Sequence, residues 1–248
     1  MPEESAALPT EELFREDARL TECSARITAI DDNGGLQLDR TVFYPQGGGQ
    51  AGDAGELLLA DGSRIAIADT RKGAAPGTIV HLPAEGQGEA LARLRPGEVL
   101  TARIDWERRH RHMRFHTATH LLCALVPHPV DGCSITAAYA RLDFHMTDPL
   151  DKEAIGAGLA RLVAAAHPVR QRWISEAELD ADPSLVRSMS VQPPRGSGRV
   201  RLVEVEGVDL QPCGGTHVAN TSEIGAVTVR KIEKKSAQTR RVVLEFAN

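Results

Sequence analysis

Cysteine is scarce in this sequence, with four residues in 248, and long hydrophobic runs are absent. So few cysteines argue against a disulfide-stabilised scaffold and leave them as core residues, metal ligands or catalytic groups. No segment has the roughly 18 consecutive apolar residues of a transmembrane helix, so we expect no membrane association. The acidic residues 1–4 also lack the apolar segment of a secretory signal. These absences predict a cytoplasmic protein.

An overall positive charge is lacking too, because 34 acidic residues outnumber 29 basic ones. Residues 1–100 hold 9 Lys and Arg against 17 Asp and Glu, whereas residues 101–248 hold 20 against 17. A local basic cluster can bind a phosphate backbone whatever the net charge, although most charge runs are only solvated helix or strand faces. The basic residues that we predict to contact nucleic acid are Arg108, Arg109, Arg111, Lys234, Lys235, Arg240 and Arg241.

Residues 1–104 have the pattern of short strands separated by turns. Asp61-Gly62 between two apolar runs predicts a hairpin, and residues 41–44 predict another strand. Several strands at this spacing predict a small N-terminal β-barrel-like domain. The first twenty or so residues are expected to be helical or loosely ordered.

Residues 105–248 alternate helices with strands. Asp105 is predicted to cap a helix that runs to Val126, and Asp151 to begin a second helix. Apolar residues alternate over 138–146, which indicates a half-buried strand. The predicted fold class is therefore α+β: a barrel-like domain over 1–104, followed by an α+β domain over 105–248 with helices packed on a mostly antiparallel sheet.

Two pairs of residues could carry chemistry. His116 and His120 are four residues apart in the predicted helix, so both imidazoles can reach one point. Cys213 and His217 flank two glycines, which allow a turn that brings thiolate and imidazole together. One thiolate and three imidazoles suit zinc. The alternative from residue types alone is a core cysteine with incidental histidines.

Other chemistries fit these residues less well. A His-Glu-x-x-His metallopeptidase needs a glutamate as general base, but position 117 is Thr. A Cys–His nucleophilic hydrolase could use Cys213, but it would not need a second His pair at helical spacing. Four protein ligands are typical of structural zinc, whereas catalytic zinc usually keeps a position open.

A glycine-rich stretch lies in the first half of the chain. Gly47, Gly48 and Gly49 could simply form a tight loop, while Gln46 and Gln50 could donate to a phosphate or an ester carbonyl. The stretch lacks the Lys-Ser/Thr of a P-loop, so binding of nucleotide triphosphates is not expected.

Four ordered motifs together resemble one family. They are His-Thr-Ala-Thr-His-Leu-Leu at 116–122, Cys-Gly-Gly-Thr-His-Val at 213–218, Phe-Tyr-Pro-Gln-Gly-Gly-Gly-Gln at 43–50 and Arg-Leu-Asp-Phe at 141–144. The sequence is similar to the editing domain of alanyl-tRNA synthetase and to its free-standing relatives, the AlaX proteins of the medium-sized type. The resemblance covers about residues 24–246.

This resemblance implies a zinc-dependent hydrolase that removes a wrong amino acid from alanine tRNA. Serine is the expected wrong amino acid, with glycine second, and one Zn²⁺ per chain is expected at His116, His120, Cys213 and His217. The glycine-rich loop is expected near the site. Ser134 and Thr136 are predicted to read the serine hydroxyl, although a turn is their simpler role.

Two other functions stay open from the sequence. One is a non-catalytic, zinc-stabilised tRNA-binding module. The other is editing of a different tRNA, because threonyl-tRNA synthetase carries a related editing domain. The sequence predicts no obligate protein partner.

Overall fold

The computed structural model describes residues 9–186 and 198–247. The chain forms two compact units, one made of Met1–Gly47 with Ala51–Arg109 and one of Gly48–Gln50 with His110–Asn248. None of the described helices is long and apolar enough to cross a membrane.

Strands dominate the first unit. Its elements are β1 (Glu11–Glu12), β2 (Glu22–Ile30), β3 (Leu36–Leu38), β4 (Arg40–Thr41), β5 (Gly55–Leu58), β6 (Arg64–Lys72), β7 (Ile79–Pro83), α1 (Gly88–Arg93) and β8 (Val99–Ile104). Helix α2 (Trp106–Leu125) begins in this unit and continues in the second.

Six of these strands form a closed antiparallel barrel in the order β2-β3-β7-β6-β5-β8. Alternation along each strand fills its interior: Ile27 on β2, Ile65 on β6 and Ala102 on β8 are almost fully buried. The hairpin predicted at Asp61-Gly62 joins β5 to β6. The predicted N-terminal barrel is therefore confirmed.

A buried histidine lies in the first unit. His81 has no solvent exposure, and its Nε2 lies 2.8 Å from Thr41 Oγ1 while its Nδ1 lies 3.0 Å from the Leu36 carbonyl oxygen. Because a carbonyl only accepts, Nδ1 carries the proton and donates it. Burial lowers the pKa of His81 to about 4, against the opposing effect of the Leu36 hydrogen bond.

We expect acid to destabilise the barrel through His81. Its folded pKa lies below the unfolded value of about 6.5, so the unfolded chain binds the extra proton. Stability is therefore full above about pH 6.5 and falls as the pH decreases toward 4, by on the order of 3 kcal/mol in total. The free energy of unfolding, measured with urea, should therefore be lower at pH 5 than at pH 7, by part of this total.

The matched control for that measurement is His145→Gln, because His145 is only partly buried. His81→Gln should flatten the pH dependence between 7 and 5, and His145→Gln should leave it as it is. Equal slopes in the parent protein and His81→Gln would rule out His81 as the source.

The second unit combines helices with two sheets. Its further elements are β9 (Val130–Ile135), β10 (Ala140–His145), α3 (Lys152–Ala164), β11 (Val169–Ser175), α4 (Glu176–Ala181), β12 (Arg199–Val205), β13 (Asp209–Pro212), β14 (Val227–Ser236) and β15 (Thr239–Phe246).

Both sheets are antiparallel. The four-stranded sheet has the order β14-β15-β10-β9, and the three-stranded sheet has the order β11-β12-β13. On β10 the buried Leu142 and Phe144 are separated by Asp143, whose side chain lies on the other face. The predicted α+β class is confirmed, and the described strands of this unit form two antiparallel sheets.

Helix starts agree with the capping signals. Asp105 Oδ1 accepts from Arg108 N at 3.0 Å, and Asp151 accepts from the backbone N–H groups of Glu153 and Ala154. These caps satisfy amides that have no partner within the helix. Helices α2 and α3 therefore begin where the sequence predicts.

Some local predictions were wrong. The strand expected over 41–44 is limited to Arg40–Thr41. The first twenty or so residues were expected to be helical or loosely ordered; residues 1–8 lie outside the described part of the chain, and the rest includes a strand at Glu11–Glu12 and a 3₁₀ turn at Leu13–Arg15. Strand β9 was missed because Gly132 and its polar neighbours weaken the strand pattern. It forms because it pairs with β10, and no pattern within β9 itself indicates this pairing.

Candidate metal centre

Helix α2 supplies the first two candidate ligands. His116 and His120 lie one turn apart on the buried side of the helix, with 5% and 4% exposure. Their ring centroids are 5.6 Å apart. The predicted i, i+4 pair is therefore a real pair of neighbouring side chains.

The other two ligands lie in the loop that follows β13. Arg201 holds this loop through hydrogen bonds from Nη1 to the carbonyl oxygens of Cys213 (2.9 Å) and Gly215 (2.8 Å). A Cβ on Gly215 would overlap the imidazole of His116. Glycine is required at this position because the loop backbone approaches the helix so closely.

The four side chains converge on one point. Cys213 Sγ lies 3.3 Å from Nε2 of both His116 and His217, and the ligand atoms of all four residues lie within 4.8 Å of one another. The group can hold a metal ion. The structure thus brings together residues that are up to 101 positions apart, between His116 and His217.

Each imidazole is oriented by a hydrogen bond at its Nδ1 atom. His116 Nδ1 lies 2.7 Å from Gln50 Oε1, His120 Nδ1 lies 2.8 Å from Asp209 Oδ2, and His217 Nδ1 lies 3.2 Å from Thr117 Oγ1. A partner at Nδ1 leaves Nε2 for a metal, which is the usual arrangement around ligating histidines. The donor set is therefore preorganised.

The charges of the cluster act on one another. Burial by itself would raise the pKa of the Cys213 thiol, but the neighbouring imidazoles lower that pKa well below its usual value. Burial also lowers the pKa of His120, yet the Asp209 and Cys213 hydrogen bonds outweigh it and raise the pKa to about 9. The pKa of His217 falls well below normal, through burial and then the charge of His116.

The shift at Cys213 fits a metal site. A lowered pKa favours the thiolate, which is the form that binds metals. One cysteine and three imidazoles whose Nδ1 atoms are all engaged form a group that can hold a metal ion.

The glycine-rich loop meets the cluster through Gln50. This side chain is fully buried, and its Oε1 accepts from Thr216 N (3.1 Å) as well as from His116, while its Nε2 donates to Thr216 Oγ1 (2.9 Å). The contacts of Gln50 orient a candidate ligand and the loop beside it, and its predicted binding of substrate stays a prediction.

The rest of the predicted loop divides between the units. Gln46 and Gly47 belong to the first unit, where Gln46 is exposed, and Gly48 and Gly49 belong to the second. Gly48 and Gly49 have φ angles of 58° and 84°, which favour glycine. A Cβ on Gly49 would lie 2.8 Å from Cys133 Sγ.

The two predicted hydroxyl readers lie near the end of β9 and directly after it, and their role in reading a hydroxyl stays a prediction. Thr136 Oγ1 donates to the Tyr139 carbonyl oxygen (3.0 Å) and accepts from Tyr139 N (3.1 Å), so its hydroxyl closes the β9–β10 turn. Ser134 pairs with Arg141, on the face of β10 opposite to the buried Leu142. Their simpler role, in turn and strand, explains both positions.

Cys133 lies on β9 beside the glycine-rich loop. It pairs with the buried Leu142, contacts Gly49 and is close enough to Cys213 for that thiolate to influence it. Burial, then Cys213, raises the pKa of the Cys133 thiol to about 12. Strand alternation would have identified this side chain had β9 been recognised.

The predicted basic residues differ in accessibility. Lys234 and Lys235 are exposed, and Arg108 and Arg111 are partly exposed. Arg241 is partly buried and binds both carboxylate oxygens of Asp143, at 2.7 and 2.8 Å.

Two members of that set have buried side chains, and their contact with tRNA stays a prediction. Arg109 has no solvent exposure and pairs with the equally buried Asp53. Arg240 is 8% exposed and donates to the carbonyl oxygens of Ser236 and Thr147. Their basic neighbours suggested a surface, but periodicity puts these two side chains on buried faces.

The sequence did not indicate that Asp209 and Gln211 belong to the site. Gln211 Nε2 donates to Asp209 Oδ2 at 2.8 Å and fixes the carboxylate that contacts His120. An isolated aspartate at the start of a short strand carries no local signal of this role. Their position two residues apart, on one face of β13, is evident only once the strand is known.

Models of two families match the chain. The model of the threonyl and alanyl tRNA synthetase second additional domain matches residues 200–243. The model of class II (A) tRNA synthetases matches residues 11–108.

Similar proteins cover nearly the whole chain. Alanyl-tRNA editing protein AlaX-M of Methanosarcina barkeri is 36% identical over 242 residues, which cover 94% of this chain and 97% of that protein. The protein of the same name from Methanosarcina acetivorans is 34% identical over 241 residues, with the same coverage. Alanine–tRNA ligase of Ignicoccus hospitalis is 35% identical over 91% of this chain but only 25% of the ligase. This chain therefore belongs to the AlaX-M family of alanyl-tRNA editing proteins.

Proposed function

We propose that this protein is a trans-editing hydrolase that deacylates mischarged alanine tRNA. Seryl-tRNA(Ala) is the proposed main substrate and glycyl-tRNA(Ala) the second. The observation that carries this proposal is the buried group of Cys213 and three imidazoles in a chain similar to editing proteins over 94% of its length. The second unit would carry the deacylase chemistry.

Zinc is the metal that we propose for the centre, one ion per chain. His116, His120 and His217 would ligate it through Nε2, and Cys213 through its thiolate, because this mixture of soft and borderline donors is typical of zinc. Bound there, zinc would supply Lewis-acid chemistry toward the ester.

The chain's own groups prepare the site for this chemistry. Gln50, Asp209 and Thr117 hold the imidazole rings in fixed tautomers, so the ligands need not reorganise when substrate arrives. Gln50 also forms hydrogen bonds with Thr216, so this one side chain connects the glycine-rich loop with the ligand loop, which is the loop after β13 that holds Cys213 and His217. A substrate ester beside Gly49 would meet a surface without side chains, with Cys133 behind it.

Recognition of the serine hydroxyl explains why editing needs a site separate from the pocket of the synthetase. A synthetase pocket cannot strongly reject an amino acid that only adds a hydroxyl, because the binding difference is about 1–3 kcal/mol. A site that hydrogen-bonds this hydroxyl discriminates better, since alanine would leave buried polar groups without partners. Cys133 joins Ser134 and Thr136 as a proposed polar neighbour of the amino acid.

Exposed basic residues are the proposed tRNA contacts. The accessible members of the set are Arg108, Arg111, Lys234 and Lys235, with Arg241 held partly by Asp143. Lysines on the β14–β15 hairpin are free to adapt to phosphates because their stems are flexible.

Serylated alanine tRNA should be hydrolysed at least about a hundredfold faster than alanylated alanine tRNA. The tRNA is identical in both substrates, so only the amino-acid side chain can cause this difference. Loss of radiolabelled ester from each tRNA measures it, with Cys213→Ala protein as the control for spontaneous hydrolysis. Equal rates for the two esters would indicate a non-selective esterase and end the editing proposal.

One observation favours a second candidate. Four protein donors at one point are typical of structural zinc. A zinc-stabilised tRNA-binding module would bind tRNA without ester hydrolysis and would unfold when the metal is chelated. The same hydrolysis assay therefore separates the two functions.

A further inference from the structure

An aromatic side chain with a cationic neighbour lies at the surface of the three-stranded sheet. Trp173, on the edge strand β11, is 41% exposed. The guanidinium carbon of Arg199 lies 4.5 Å from the centroid of its ring. About two fifths of this side chain stays in contact with solvent, so a further partner can still cover it.

Trp173 shares a sheet face with residues of the metal centre. Its cross-strand partner is Arg201, and Gln171, two residues earlier, accepts from Arg201 Nε at 2.8 Å. Val203 and Val205 lie on the same face of β12 as Arg201, because side chains alternate along a strand. Their partners on β13 are Gln211 and Asp209, so these two side chains share that face. This face therefore runs from Trp173 at its outer edge to the carboxylate that contacts His120.

Arg201 links the two ends of the face. Directly opposite residues of antiparallel strands have Cα atoms about 5 Å apart, so Trp173 lies beside the arginine that binds the carbonyl oxygens of Cys213 and Gly215. The separation between ring and ligand loop is about one arginine side chain plus one strand spacing. A nucleotide or two can span it.

The chemistry of the pair suits an unpaired nucleobase. Aromatic faces stack on bases without regard to sequence, and arginine adds a cation for the ring and the adjoining phosphate. The 3′ end of a tRNA is single-stranded and carries the ester that the centre is proposed to hydrolyse.

We propose that Trp173 and Arg199 form a stacking site for an unpaired base next to the 3′-terminal nucleotide of the tRNA. The proposal rests on the proposed function, because it needs the tRNA 3′ end at the metal centre. Stacking there would direct the terminal ester toward Cys213 while reading no sequence.

Intrinsic fluorescence can test the contact directly, because the chain has two tryptophans. Trp106→Phe leaves Trp173 as the sole reporter, and Trp173→Phe leaves Trp106, which is 36% exposed, as a matched control. Uncharged alanine tRNA should quench Trp173 and leave Trp106 nearly unchanged. The same tRNA without its unpaired 3′ nucleotides should quench neither. Equal quenching of Trp173 by both tRNAs would overturn the proposal.

Binding measurements provide a second test. Trp173→Ala should weaken binding of the intact tRNA about tenfold and that of the truncated tRNA less than twofold, whereas Trp173→Phe should retain most of the affinity. Trp106→Ala should have no selective effect on the intact tRNA, and thermal melting checks that each variant folds. A similar loss for both tRNAs, or no loss for either, contradicts stacking.

Uncharged tRNA keeps these outcomes separate from the proposed activity. Selective quenching without ester hydrolysis would contradict the deacylase proposal alone. Hydrolysis of seryl-tRNA(Ala) with no effect of Trp173 would contradict the stacking site alone.

Discussion

Replacing Cys213 with alanine should remove most of the bound metal and lower the rate of seryl-tRNA(Ala) hydrolysis at least about a hundredfold. Cys213 is the thiolate of the cluster, and its Sγ lies 3.3 Å from Nε2 of both His116 and His217. Without it three imidazoles remain and the negative charge that binds the cation is lost. Elemental analysis of the purified variant measures the metal, and single-turnover deacylation measures the rate.

A graded series makes this prediction sharper. Asp209→Asn keeps a hydrogen-bond acceptor for His120 but removes the charge, and it should lower metal affinity about 10–100-fold, as is usual for partners of ligating histidines. Cys23→Ala, on β2 of the barrel, is the control for loss of a cysteine elsewhere. Full metal content in Cys213→Ala would show that the cluster is not the metal site.

Replacing Arg109 with methionine should destabilise the protein by about 3–5 kcal/mol. Arg109 and Asp53 have no exposed side-chain surface. The guanidinium donates to Asp53 Oδ2 from both Nε and Nη2, and it donates to the carbonyl oxygens of Val42 (2.6 Å) and Ala18 (2.9 Å). Its removal leaves a carboxylate and two carbonyls buried without this donor. Denaturant unfolding followed by circular dichroism measures the loss.

Two further variants identify the cause of that loss. Arg108→Met changes the adjacent, partly exposed arginine, whose bonds to the Gly52 carbonyl are 3.2 and 3.4 Å long, and should cost less than about 1 kcal/mol. Arg109→Met combined with Asp53→Asn should recover part of the stability, because the unpaired charge is gone. A cost below about 1 kcal/mol for Arg109→Met would contradict the buried pair.

The function was predicted more from the resemblance of four motifs to a known family than from the chemistry of single residues. A His-x3-His pair and a Cys-x3-His pair were consistent with zinc, with a core cysteine or with a nucleophilic hydrolase. The order of four motifs along the chain selected the editing family, which the similar proteins confirm. Spacing alone could not make that choice, because the two pairs are separated by 92 intervening residues between His120 and Cys213.

The sequence by itself determined the features that depend on neighbouring residues. Helix α2 with its Asp105 cap, the Asp61-Gly62 hairpin and the i, i+4 placement of His116 and His120 follow from backbone geometry over a few residues. Such signals involve residues less than about two helical turns apart, so they can be recognised in the sequence without knowledge of the tertiary structure.

Only the tertiary structure decided which distant side chains meet. It placed Gln50 and Asp209 on the ligand histidines, buried Arg109 against Asp53 and turned Cys133 rather than Ser134 toward Gly49. Whether a polar group is buried, and which partner satisfies it, depends on strand pairing and packing across the chain. Burial without a partner would cost several kcal/mol, so the fold selects such partners, but no local pattern encodes them.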